Sequence, residues 1–129
     1  MWPPDVEEVA AVFRNAGVEA RLEELPEDDD EYPGPAVNAV AFDCEGRTVV
    51  ALIPADSAVD PRRIPCAYPR PVPAPPFPYR GAIVLTERML LREGTVWIEA
   101  GSPRHVAGLS LRQLMELSHA QPADLVAEA

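Results

Sequence analysis

The chain has 129 residues, enough for one domain with a buried core, and its hydrophobic (47%) and charged (25%) fractions are ordinary for a globular protein. All eleven basic side chains are arginine, which excludes Schiff-base and Walker-type lysines. The net charge of −10 opposes non-specific binding to nucleic acid, whose affinity comes mostly from neutralised phosphates. Any nucleic-acid role therefore needs a local arginine patch.

The apolar runs are short, and the longest lie far below the ~20 residues that span a bilayer. The first residues, Met1 to Asp5, lack the basic and apolar regions of a secretory signal. The sequence therefore predicts a cytoplasmic protein with no membrane partner. We also expect no bound cofactor. Since a structural disulfide needs an oxidising compartment, we expect Cys44 and Cys66 to be free thiols.

The first predicted element is a helix from Asp5, because Asp5 and Glu8 have the spacing of a capping box. Its buried face is predicted to contain Val6, Val9, Ala10 and Phe13, which recur at helical spacing. Gly17 is typical of the position just after a helix. The alternation over residues 18–22 predicts a half-buried strand.

Five consecutive acidic residues follow at 27–31. Clustered carboxylates suit calcium or magnesium, so a hard-cation site is one interpretation. The other is a solvated loop, which we favour because like charges in one run repel and no glycine turns the run around an ion. The sequence therefore predicts no metal site.

The middle of the chain predicts a β-hairpin over residues 37–53 with its turn at 43–47. The second strand, 48–53, is apolar on both faces and is therefore predicted to lie inside the sheet. Asp60 and Pro61 have the pattern of an N-cap followed by proline at the first position of a helical turn.

Proline dominates the next segment, with eight of the sixteen prolines in residues 61–78. Neither a regular helix nor a central strand tolerates that density, so we predict a polyproline-II-like surface loop over about residues 65–80. Arg70, Pro73 and Pro76 have the spacing of an SH3 ligand, which a proline-rich loop produces by chance.

The last third predicts strands at 81–85, 95–99 and 106–109, with a helical turn at 87–91. Ser110 and Gln113 form a capping box for a final helix, whose buried residues are predicted to be Leu111, Leu114 and Met115. The tail after Pro122 is expected to pack through Leu125 and Val126. Together the elements predict a single α+β domain over 1–129, with a mixed, largely antiparallel sheet and flanking helices.

Catalytic constellations are scarce. The two histidines, His105 and His119, have no metal-ligand spacing with each other or with a cysteine. His119 falls near the end of the final helix. His105 lies in a strand-end loop with Gly101, Ser102 and Arg104, which is either a binding loop or a turn that is polar because it is exposed.

The order and spacing of several segments resemble the YbaK-type aminoacyl-tRNA editing domains, a family associated with prolyl-tRNA synthetase. The segments similar to its hairpin, its short helix, its strand ending in Ala-Gly and its final helix are 37–42, 49–60, 83–91, 95–103 and 106–117. The likeness covers roughly residues 6–60 and 81–126, and it implies a YbaK-like fold.

The resemblance also implies an activity, hydrolysis of the ester that joins a wrong amino acid to the 3′ end of a transfer RNA. The lysine with which that family positions the terminal nucleotide is replaced by Asn38. The proline-rich stretch stands where the family has a Gly-rich loop that donates backbone amides to the ester. Glu99 replaces a small polar residue of some members, and Gly101 matches. No catalytic residue is assigned.

Two hypotheses follow. The first is a trans-editing deacylase, a hydrolase of translation fidelity, that is degenerate in this chain and binds the acceptor end of tRNA. Its predicted substrate-binding residues are Asn38, Glu99, Gly101, Ser102 and His105. The alternative is a non-catalytic YbaK-fold binding module for a small ligand or a protein partner. A second copy of the chain, in a homodimer, is one such partner.

Overall fold

The computed structural model of the protein describes residues 2–127. Two α-helices, α1 (Pro4–Ala16) and α2 (Leu111–Ser118), flank the strands, and two 3-10 turns occupy Pro61–Arg63 and Arg88–Arg92. The strands are β1 (Arg21–Glu24), β2 (Val37–Cys44), β3 (Arg47–Pro54), β4 (Arg70–Val72), β5 (Ile83–Glu87), β6 (Thr95–Ser102), β7 (His105–Ser110) and β8 (Gln121–Ala123).

The strands form two sheets. One is antiparallel with the order β1-β7-β6, and the other is mixed with the order β4-β2-β3-β5-β8, in which β5 runs parallel to both neighbours. The sheets meet where the Trp97 N–H donates to the Pro35 carbonyl at 2.9 Å. This arrangement confirms the predicted α+β class with a mixed, largely antiparallel sheet.

Strand β3 lies at the centre of the larger sheet, as its apolar residues predict. On one face Val50 and Leu52 belong to the main core, which is shared with the smaller sheet and both helices. On the other face Ile53 belongs to a second core covered by Ile64 and Leu125. Each such buried side chain stabilises the fold by about 1.5–3 kcal/mol.

Helix α1 starts one residue before the predicted position. Its N-cap is Pro3, with no side-chain capping bond, so the predicted capping box of Asp5 and Glu8 is wrong. Pro4 begins the helix because its fixed φ and missing N–H suit the first position. The predicted buried face and the left-handed Gly17 are confirmed, whereas the strand predicted at 18–22 forms at 21–24.

The predicted hairpin turn and the predicted N-cap of the final helix are confirmed. The β2–β3 hairpin closes through Glu45 and Gly46, both with positive φ, which matches the twist of the strands. At α2 the Ser110 hydroxyl accepts a hydrogen bond from the Gln113 N–H at 3.1 Å. Leu125 is buried in the second core, as expected of the tail.

The proline-rich segment departs from its prediction at three residues. β4 pairs with Ala41–Asp43 of β2, with Pro71 opposite Phe42, whereas no regular structure was expected over 65–80. The strand forms because it lies at the sheet edge, where proline is tolerated. The neighbouring residues 73–80 have no helix or strand, in line with the predicted loop.

The prediction of two free thiols is wrong. Cys44 and Cys66 form a disulfide, with their Cα atoms 5.7 Å apart. Cys44 ends β2, and the turn after Asp60 folds the chain back so that Cys66 packs against the second core beside it. The sequence offered no sign of this contact, because 22 residues separate the two cysteines.

The acidic run, 27–31, is an exposed loop without helix or strand. Within residues 2–127, no group of three or more His, Cys, Asp or Glu side chains is placed to hold a metal ion. Neither described helix has the length and hydrophobicity needed to cross a bilayer.

Candidate functional site

A cavity of about 350 Å³ opens between the two sheets and the proline-rich segment. One side is the first half of β2 and another is the end of β6. The third is the segment that follows β4. The residues that line it are Tyr32, Val37, Asn38, Ala39, Val40, Ala74, Pro75, Pro76, Phe77, Tyr79, Glu99 and Gly101.

The β2 side of the cavity is an open strand edge. β4 pairs only with Ala41–Asp43, so residues 37–40 have no strand partner on that side among the described residues. The Asn38 side chain is exposed there. Its amide offers both a donor and an acceptor to a ligand.

The β6 side brings the strand close to α1. Gly101 has φ +90, and a Cβ at this position would lie 2.5 Å from the Asp5 carbonyl oxygen. Only glycine allows that approach, so Gly101 fixes the distance between β6 and the first turn of the helix. Glu99, two residues earlier, keeps its carboxylate exposed at the cavity.

Tyr79 forms the buried wall of the cavity. It is 5% exposed and packs edge-on against Phe77, with ring centroids 5.6 Å apart. Its φ of 64 is left-handed, which costs about 1–2 kcal/mol for a residue with a Cβ. Burial, then the Glu99 carboxylate, then the Tyr32 phenol raise the pKa of Tyr79, so the phenol stays neutral at physiological pH.

Tyr32 approaches the same carboxylate from the loop between β1 and β2. It is half-buried and packs against a small core that includes Trp97. Burial, and after it the Glu99 carboxylate, raises the pKa of the Tyr32 phenol. Two neutral phenols therefore stand near one carboxylate, as hydrogen-bond donors without positive charge.

The proline-rich wall is poor in donors. Three of the five residues in 74–78 are proline and have no N–H. The Tyr79 N–H that follows is taken by the Pro76 carbonyl at 2.8 Å. Within 74–78, the backbone donors that remain for a bound carbonyl or oxyanion are therefore the N–H groups of Ala74 and Phe77.

Glu99 is the charged residue of the lining, and no arginine joins it there. Most arginines are held in ion pairs with acids elsewhere: Arg14, Arg21, Arg62, Arg63, Arg70, Arg88 and Arg112. Arg80 borders an adjoining cavity of about 620 Å³ behind the Pro75–Phe77 wall. The described lining thus carries negative charge and no compensating cation.

Of the five residues predicted to bind substrate, Asn38, Glu99 and Gly101 lie together at this cavity, whereas Ser102 and His105 do not line it. Instead the Ser102 hydroxyl is hydrogen-bonded to His105 Nδ1 at 2.6 Å, and the His105 ring packs against Trp2. At the β6–β7 turn these two side chains thus contact each other and Trp2 instead of the cavity. Their role in binding stays a prediction.

Sequence reasoning missed the aromatic lining. Tyr32 follows an acidic run and Tyr79 lies in a proline-rich stretch, and both stretches were interpreted as solvent-exposed loops. A signal was present in Phe77 and Tyr79, because two aromatic residues close together within a proline-rich loop are costly to leave in water.

No family model and no curated protein matches the sequence. Several solved structures match the chain. The chain is similar to a candidate trans-editing enzyme for prolyl-tRNA synthetase, with TM-score 0.86 and 18% identity over 99% of this chain and 100% of that one. A scaffold used in computational epitope grafting gives TM-score 0.84 at 18% identity, over 99% of this chain and 100% of that chain.

A third structure is a candidate signal transduction protein from Marinobacter aquaeolei VT8. It matches with TM-score 0.71 and 14% identity over 99% of this chain but 31% of that chain. At such identities the similarity shows the fold alone. The chain has the YbaK-like α+β fold that the sequence predicts.

Proposed function

We propose that this chain is an aminoacyl-tRNA editing-type domain that has kept the aminoacyl pocket and lost efficient ester hydrolysis. The observation that carries the proposal is the cavity beside Asn38, which contains a carboxylate and no cation among its described lining residues. The editing-type fold supports the ancestry, and the composition of the cavity supports the loss of activity.

Binding of the tRNA acceptor end is the first requirement that this cavity meets poorly. Affinity for nucleic acid comes largely from basic side chains that neutralise phosphates. Asn38 stands where the resemblance puts a lysine, and the whole chain carries −10. Arg80 is a candidate cation, because it borders the adjoining cavity across the wall.

Stabilisation of the oxyanion formed during ester hydrolysis is the second requirement. Losing one such donor commonly costs ~2.7–4 kcal/mol, or ~10²–10³ in rate. The three prolines of the 74–78 wall have no N–H to donate, and the Tyr79 N–H already has an acceptor, so Ala74 and Phe77 are left as the backbone donors of this wall. We therefore expect deacylation to be weak even where the substrate binds.

The test is a deacylation assay with tRNAPro charged with a non-cognate amino acid. We expect the native chain to release amino acid no faster than about tenfold above buffer, given the two losses. Asn38→Lys tests phosphate binding, and Gln121→Lys, at an exposed position of β8 outside the cavity, is the control for charge alone. Robust turnover by the native chain would overturn the proposal.

A non-catalytic binding module for a small ligand is the second candidate. The observation in its favour is the match to 31% of the candidate signal transduction protein, in which this fold is one part of a longer chain. A small ligand that binds this cavity at micromolar concentration while tRNA does not bind would favour this candidate. The cytoplasmic location and a protein partner or homodimer remain predictions.

A further inference from the structure

The Glu99 carboxylate forms no ion pair with the side chains that the structure describes. It lies at the cavity between the phenols of Tyr32 and Tyr79. A carboxylate in a concave, partly apolar site attracts a positively charged ligand group more strongly than one on an open surface, because the walls reduce screening.

We propose that Glu99 binds the protonated α-amino group of an aminoacyl ester or amide, and that the cavity selects such ligands over the free amino acid. This inference rests on the proposed function and names the ligand group that the pocket recognises. It concerns binding alone, so it stands whether or not the ester is hydrolysed.

The other lining groups fit the same ligand. An ammonium ion is also attracted to aromatic ring faces, and Phe77 and Tyr79 supply two rings at the wall. The neutral phenols and the Asn38 amide can donate to the ester or amide carbonyl. The ammonium thus has a charged partner, and the carbonyl has uncharged donors.

Discrimination against a free amino acid follows from charge. Its carboxylate would enter a cavity whose charged lining residue is Glu99, and no arginine or histidine of the described lining would neutralise it. Like charges in close contact are unfavourable. An ester or amide has the same ammonium group without that carboxylate.

The experiment is an NMR titration of the ¹⁵N-labelled full chain at pH 6.5 with three ligands. L-alaninamide and L-alanine are nearly equal in size, and N-acetyl-L-alaninamide lacks the ammonium group. The proline series is measured in parallel. We expect L-alaninamide to bind about 3- to 10-fold more tightly than the other two, which is the effect of one charge-assisted contact at an exposed carboxylate. Shifts should cluster at Asn38, Phe77, Tyr79 and Glu99.

Glu99→Gln should bring the three ligands to similar affinity. Glu19→Gln, which removes the same charge at an exposed site outside the cavity, should leave the preference unchanged. Equal binding of all three ligands to the native chain, or a preference that survives Glu99→Gln, would overturn the inference but not the pocket. If no ligand of either series binds, the proposed function fails and the inference with it.

Discussion

The Tyr79 phenol is buried beside a carboxylate, and this placement has a consequence for stability. The chain has no lysine and its cysteines form a disulfide, so the tyrosine phenols are the side chains whose ordinary pKa lies between 9 and 11. The pKa of Tyr79 is raised in the folded state, chiefly by burial. Above pH ~10 the unfolded chain therefore loses a proton that the folded chain keeps.

We predict that the free energy of unfolding is unaffected by this group below pH ~10 and falls above it, by up to about 1.4 kcal/mol per pH unit. Tyr79→Phe should show a smaller alkaline fall. Tyr68→Phe, at a residue that is 84% exposed, should behave like the native chain. Urea unfolding between pH 7 and 11 measures this, and the same slope in Tyr79→Phe and native protein would contradict it.

At single residues, the sequence predicted position better than role. Gly101 was expected to contact substrate, and it does line the cavity, but its φ and the adjacent Asp5 backbone show a packing requirement that no spacing reveals. A bulky substitution there would displace α1 and would report on folding rather than on binding. Ser102 and His105 were grouped with the site because they follow it in the chain, whereas the turn separates them from it.

Among the elements, the C-terminal segment is anchored by a buried carboxylate. Glu87 accepts hydrogen bonds from the N–H groups of Leu125 at 2.8 Å, Val126 at 3.0 Å and Met89 at 2.9 Å. Burial by itself would raise the pKa of Glu87. These hydrogen bonds and the Arg63 charge outweigh burial and lower the pKa.

Because the pKa is lowered in the folded state, Glu87 stabilises the fold above its ordinary value of ~4.3, and this contribution is lost as the pH falls below that value. Glu87→Gln should lower the free energy of unfolding by about 1–3 kcal/mol at pH 7 and by less at pH 4, since its amide cannot accept every bond. Chemical denaturation at both pH values measures this, with the exposed Glu93→Gln as control. Equal stability of Glu87→Gln and native protein at pH 7 would disprove the anchor.

Elements with strong local signals were predictable. The 37–53 hairpin, the central strand and the capped helix α2 each combine periodicity with a defined turn or cap. The β4 edge strand and the Cys44–Cys66 bond were not predictable, because both depend on where a proline-rich segment returns in space. For the same reason the aromatic wall of the cavity was missed.

In the whole molecule, the fold is similar to that of a candidate editing enzyme, whereas the net charge of −10 opposes binding of nucleic acid. The YbaK-like arrangement brings Asn38 to the same cavity as Glu99 and Gly101, although 61 positions separate Asn38 from Glu99 in the chain. Seven of the eleven arginines form ion pairs with acids that do not line this cavity. If the proposed function holds, a domain with this fold and an anionic pocket is expected to bind the aminoacyl group better than the nucleic acid.

The most direct measurement is an NMR titration of the ¹⁵N-labelled chain with a non-hydrolysable aminoacyl-adenosine, in which an amide replaces the ester. We predict saturable shifts at Asn38, Phe77, Tyr79 and Glu99, with the signals of the groove along α2 (Leu111, Met115 and His119) unchanged. No saturable binding, or shifts confined to the α2 groove, would contradict an aminoacyl pocket at this site.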